Sequence, residues 1–222
     1  MIKYINIIFL SLSITLGYAR EFEGSISPIT EEILEQMPYS WNVNNPVPLQ
    51  DLRCVWVSHW GFDEEIHQGC LIVHENVAEE ILDIFREIFE GKFPIEKMQF
   101  VDLYEGIDES SATDNNSYSF CSRPITGMTG VFSKHSYGLA IDINPLYNPY
   151  CRGDLLVPKA GAAYLNRDHQ VKGMIHPDTT CYQAFAKRGW KWGGDWKTSR
   201  GYVDYHHFEK DPIAVLKDTY CL

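Results

Sequence analysis

The stretch Ser133-Lys134-His135-Ser136-Tyr137-Gly138-Leu139-Ala140-Ile141-Asp142-Ile143-Asn144-Pro145 carries more information than any other in the chain. Gly138 to Asn144 reads as a strand. Side chains on a strand alternate, so Leu139, Ile141 and Ile143 share one face and Ala140, Asp142 and Asn144 the other. Asp142 then stands beside a small residue on an otherwise apolar segment, where a carboxylate without a partner is costly. His135, on the preceding turn, is placed to meet it at a metal. The plainer alternative is an aspartate that accepts backbone hydrogen bonds near a surface histidine.

A second segment, Asp204-Tyr205-His206-His207-Phe208-Glu209, gives that alternative less room. An acid three residues before a histidine suits metal-assisted hydrolysis, the histidine binding metal and the acid handling the proton of the attacking water. Tyr202 to Phe208 reads as a strand, on which neighbours face opposite ways, so only one of His206 and His207 can reach the metal. Two histidines and one aspartate make the three-ligand, one-open-position set of a catalytic zinc centre.

Outward from these segments, Cys54 to Val57 and Cys70 to Val73 read as paired strands, with turn residues Gly61, Asp63 and Gly69 between them. Val77, Ile81, Phe85 and Ile88 repeat at helical spacing after an N-cap at Asn76, and Gly91 and Pro94 stop the run. Met98 to Tyr104 reads as a strand, Glu105 to Phe120 as a long loop and Asp154 to Pro177 as irregular chain. Asp178 is expected to cap a helix ending at Gly189; Trp190 to Trp192 reads as a strand, and Asp211-Pro212 opens a last helix. Helices and strands do not alternate as in a doubly wound sheet, so the expected class is α+β, a small antiparallel sheet with flanking helices.

Residues 1–19 have the order of an export signal: Lys3, an apolar run from Ile5 to Leu16, and the small-residue site Gly17-Tyr18-Ala19. A retained anchor is the weaker reading, because the run is short and serine-containing. Residues 20–50, with a short helix expected over Thr30 to Met37, read as an N-terminal arm, and 51–222 as the domain proper. The net charge of −11 becomes −12 once Lys3 is removed, which argues against a nucleic-acid partner. Six cysteines without a C-x-x-C pair point to disulfides and an oxidising compartment, secreted or periplasmic. The paired strands suggest Cys54–Cys70, the last helix and terminus Cys181–Cys221, leaving Cys121–Cys151.

The motifs S-K-H-S-Y-G-L-A-I-D (133–142) and D-Y-H-H-F (204–208) resemble those of the zinc D-alanyl-D-alanine carboxypeptidases and dipeptidases and their relatives, the L-alanyl-D-glutamate endopeptidases. Phe120-Cys121-Ser122-Arg123, Asn148-Pro149-Tyr150 and Gly189-Trp190-Lys191-Trp192-Gly193-Gly194 support the likeness, which extends over about residues 50–210. The resemblance implies one zinc on His135, Asp142 and His207, with Asp204 as general base. It favours His207 over His206, since the family's ligand directly precedes the aromatic and the acid. It implies a fold shared with the Hedgehog-like signalling domain and a peptidoglycan peptide as substrate; apart from the leader no segment approaches a membrane span, and a monomer is expected. Arg123 sits where the family has an arginine that can polarise the scissile carbonyl or hold a carboxylate; the alternative is a structural ion pair. Ser133, Tyr137, Trp192 and Trp196 are candidates for the substrate groove, or else core aromatics. A carboxypeptidase and a zinc-stabilised binding domain without turnover are the competing functions.

Overall fold

The computed structural model describes residues 21–125, 130–196 and 201–220. The signal read at residues 1–19 and Cys221 lie outside them. The chain is α+β, its pairings antiparallel but for one short parallel pair.

The framework is a three-stranded sheet, β1 (Gly24–Pro28), β2 (Leu52–Trp60) and β3 (Ile66–His74), in the order β1-β2-β3. The arm therefore contributes a strand that its polar sequence did not announce. Its short helix α1 (Glu31–Leu34) starts at Thr30, whose Oγ1 accepts from the Ile33 N–H at 3.3 Å. Helix α2 (Glu75–Glu90) lies across β1 and β2 and buries the stripe Val77, Ile81, Phe85 and Ile88. Its cap is His74, not Asn76: the imidazole Nδ1 accepts the Asn76 N–H at 3.1 Å, taking the place of a hydroxyl or amide oxygen. Each fully buried side chain on that stripe contributes about 1.5–3 kcal/mol.

The strand expected over Met98 to Tyr104 is only β4 (Lys97–Met98), followed by a 3-10 turn over Val101–Tyr104. Asp102 ends the strand there, because its Oδ1 reaches back to accept the Tyr39 and Ser40 N–H groups, both at 2.8 Å, tying the arm to the domain. The expected loop 105–120 contains α3 (Asp108–Thr113) and β5 (Asn116–Ser117), the latter parallel to β4.

Strand β6 (Ala140–Asp142) is followed by β7 (Tyr150–Arg152), β8 (Leu155–Val157), α4 (Thr180–Ala186, capped by Thr179 and not Asp178) and β9 (Lys191–Trp192). The strand expected over 202–208 is two, β10 (Val203–Asp204) and β11 (His207–Glu209), broken at Tyr205-His206; α5 (Pro212–Tyr220) closes the described chain. Strand β11 lies between β6 and β9, while β10 joins a separate sheet of order β10-β7-β8. Phe208 is fully buried and stacks on Phe185 of α4 at 4.2 Å between ring centroids. Leu139, Ile141 and Ile143 point into the same core, as their alternation requires.

Cys54 and Cys70 are disulfide-bonded, with Cα atoms 6.2 Å apart across β2 and β3. Among the described residues Cys121, Cys151 and Cys181 have no disulfide partner, and the expected Cys181–Cys221 bridge falls on Cys221 outside them. The expected Cys121–Cys151 bridge is not formed: Cys121 is buried beside Val101 and Tyr118, whereas the Cys151 thiol turns to the Gly153 carbonyl at 3.8 Å. Replacing Cys54 and Cys70 together by Ser is expected to lower stability by about 2–4 kcal/mol, read by denaturant unfolding of the oxidised protein. Non-reducing peptide mapping should return this bridge and no Cys121–Cys151 peptide.

Candidate metal centre

Ser133 opens a 3-10 turn, Lys134–Tyr137, with its Oγ accepting the His135 N–H at 3.4 Å. Gly138 ends the turn at φ 65°, and a Cβ there would meet the His74 nitrogen at 2.5 Å. The glycine of the first motif thus serves both a left-handed backbone and close contact with the end of β3. The turn delivers His135, buried, to the start of β6. On β6, Asp142 stands directly opposite His207 of β11 in the antiparallel register, so both side chains project on one face.

The three side chains converge. His207 Nδ1 is 2.8 Å from Asp142 Oδ1, His135 Nε2 is 3.2 Å from Asp142 Oδ2, and the two imidazole nitrogens are 3.2 Å apart. A donor atom from each lies within 4.8 Å of the others. The outer partners decide which nitrogens face inward. His135 gives its Nδ1–H to the Ser119 carbonyl at 2.6 Å, leaving Nε2 for the centre. His207 turns Nε2 to Glu209 at 3.3 Å, leaving Nδ1, and Lys134 holds the other Glu209 oxygen at 2.7 Å. These donors could hold a metal ion between them in place of the protons they share, and two nitrogens with one oxygen suit zinc.

The electrostatics agree. Burial resists the charge on Asp142, yet the His135, His206 and His207 imidazoles hold its carboxyl well below the usual range. Burial likewise opposes a charged His207, but Asp142 and Glu209 raise it to about 10. Protons and a metal ion therefore compete for the same donors.

Asp204 and His206 stand beside this set. The strand break at Tyr205-His206 removes the alternation expected of these neighbours: His206 precedes β11 and lines the same cavity as His207. Its Nδ1 is 2.7 Å from the Asn148 carbonyl, and its Nε2 is 2.8 Å from Asp204 Oδ1 and 3.7 Å from Asp142 Oδ2. A ring between a carbonyl and a carboxylate needs a proton on each nitrogen. Burial disfavours that cation, but Asp204 and Asp142 raise its pKa to about 9.

The donors open onto a cavity of about 190 Å³ that Asp204 also lines. Ser133, Arg123 and Trp196 line it as expected. Arg123 combines both of its readings: it pairs with Asp108 at 2.9 Å and faces the cavity, its Nε buried without an acceptor among the described residues. Tyr137 and Trp192 do not reach the cavity. Tyr137 packs on the main core, and Trp192 is buried there with its indole N–H given to the Tyr205 carbonyl at 2.8 Å. Tyr118, Tyr150, Arg152, Tyr202 and Glu209 line it without having been singled out as groove residues. Arg152 and Tyr150 flank Cys151 in a strand that the sequence reading left unassigned, so only the β7 pairing reveals them.

A buried N₂O donor set that opens on a cavity, with an acid beside it, suits a catalytic metal centre better than a closed structural site. Residues 126–210 match the family model described as D-alanyl-D-alanine carboxypeptidase, which supports the likeness to zinc peptidoglycan metallopeptidases that the motifs carry. No curated protein and no solved structure matches the chain.

Replacing His135, Asp142 or His207 by Ala should abolish zinc retention, measured by metal analysis after gel filtration, whereas His206→Ala should keep about one zinc per chain. Zinc retention should weaken as pH falls, because protons reclaim the donors. A second expectation concerns Gly193, where a Cβ would lie 2.8 Å from the Asp204 Cβ and closer still to the Asp204 carbonyl. Gly193→Ala should displace Asp204, keeping zinc while reducing any hydrolytic turnover by about 10–100-fold.

Proposed function

We propose that the chain hydrolyses amide bonds in peptidoglycan stem peptides, cutting internally in the manner of an L-alanyl-D-glutamate endopeptidase. The observation that carries the reading is Asp204, an acid on the cavity wall beside three convergent metal donors. His135, Asp142 and His207 would hold one zinc ion, which supplies a Lewis acid able to make water nucleophilic at neutral pH. Asp204 takes the proton of the attacking water and returns it to the leaving amine. Arg123, with an unfilled Nε, offers a donor to the carbonyl oxygen as negative charge develops on it. Ser133 and Trp196 border the peptide's path.

The reading includes export by the leader at 1–19, an arm over 20–50 and a monomeric peptidase domain over 51–222. It also includes the fold that zinc D-alanyl-D-alanine peptidases share with the Hedgehog-like domain. No described helix is long and apolar enough to cross a membrane. A D-alanyl-D-alanine carboxypeptidase is the second reading, favoured by the family model's description and by Arg152. That guanidinium lines the cavity over the Tyr202 ring, 5.5 Å from its centroid, with no carboxylate partner among the described residues. It could receive a terminal carboxylate. A binding domain without turnover has no use for Asp204 at this position.

Incubating the zinc-loaded protein with peptidoglycan, with and without chelator, and identifying fragments by mass separates these readings: internal cuts, release of terminal D-alanine, or no cleavage. Asp204→Asn should keep zinc and fold while turnover falls by about 10²–10⁴-fold. Zinc lost along with activity would make Asp204 a ligand.

A further inference from the structure

His206 lies outside the proposed ligand set, yet it is among the most firmly seated groups in the molecule. Its ring lies between the Asn148 carbonyl, hydrogen-bonded at 2.7 Å, and Asp204 Oδ1, an ion-pair contact at 2.8 Å to a buried oxygen that has no aligned hydrogen bond among the described residues. Asn148 is itself fully buried and fixed on all sides. Its Nδ2 donates to the Asn144 carbonyl at 3.1 Å and the Gly173 carbonyl at 2.9 Å, while its Oδ1 accepts from the Ile175 N–H at 2.8 Å and from Arg167 at 3.0 Å. One side of the His206 ring is thus referenced to a rigid loop. The other side meets the one carboxylate in the cavity that is neither opposite a metal donor in the β6–β11 ladder nor paired with Arg or Lys among the described residues.

Asp204 has few other restraints on its carboxylate. Its backbone is set by pairing with Tyr150 and by the Gly193 contact, but two free torsions remain beyond Cα. An oxygen that must accept a proton from water has to be held within a fraction of an ångström of the productive position. We propose that His206 is a positioning residue for Asp204. By engaging Oδ1 from a fixed platform, it leaves the other oxygen turned to the cavity, ready for the proton of the attacking water. The inference rests on Asp204 being the general base. It gives the doubled histidine of D-Y-H-H-F two separate tasks: His207 faces the metal and His206 faces the base.

Zinc-loaded wild type, His206→Ala, His206→Gln and His206→Asn provide the test. Gln can carry a donor to the place of Nε2, whereas Asn reaches only toward the Asn148 carbonyl. His206→Ala and His206→Asn are expected to lose about 10–100-fold in kcat with KM and zinc content unchanged, and His206→Gln to recover most of that loss. Crystal structures of the same proteins should show the Asp204 carboxylate in one orientation in wild type and His206→Gln, and turned or split in His206→Ala. Loss of zinc in His206→Ala, an unchanged kcat, or equal losses in Gln and Ala would overturn the proposal. If wild type cleaves no peptidoglycan, the proposed function fails, and the Asp204 orientations alone still decide whether His206 holds that side chain.

Discussion

The site depends on one register, that of β6 against β11, which sets Asp142 opposite His207. A slip of one residue would turn His207 into the core and Phe208 into the cavity, since side chains alternate with a period of two. The core forbids the slip. Phe208 stacks on Phe185, and Ile141, its partner across the ladder, is fully buried. Each aromatic or aliphatic side chain brought to water would forfeit about 1.5–3 kcal/mol. Metal donors are therefore held in place from behind, by hydrophobic packing, with no need to attract one another.

Holding them has an electrostatic cost, and the molecule meets it in a chain of contacts. Asp142 is buried and would be expensive alone, but the imidazoles around it keep it ionised. Glu209, also buried, is kept ionised against that burial by His207 and Lys134, with its pKa near 2. Lys134 lies beside His135 in sequence, so one short turn supplies both a donor to the centre and the countercharge for the outer carboxylate. The overall excess of acid has little to do with this arrangement, which is local and fully paired.

Much of the centre was legible in the sequence because its determinants are local. Alternation within 138–144 placed Asp142 apart from Leu139, Ile141 and Ile143, and the structure keeps those three in the core. Helical periodicity gave α2, and the apposed strands gave the Cys54–Cys70 bridge. The errors share a cause. Met98 to Tyr104 has strand-like residues, but Asp102 is recruited by the arm; His74 caps α2 with a ring nitrogen, which no propensity scale anticipates. Tyr137 and Trp192 look like groove aromatics in their motifs, yet packing claims both.

What the sequence determined by itself is the class of fold and the two short segments that carry the donors and an acid near them, since spacing and alternation act over a few residues; the choice of His207 over His206 came from the family resemblance. What only the tertiary structure decided is how those pieces meet. It broke the 202–208 segment at Tyr205-His206, sent β10 and β11 to different sheets, and brought His206 into the cavity beside Asp204. It also joined Asp108, Tyr118 and Arg152 to the cavity wall from segments far apart in the chain. The physical reason is that such contacts are set by the packing of whole sheets against one another, and a short stretch of residues holds no record of its distant neighbours.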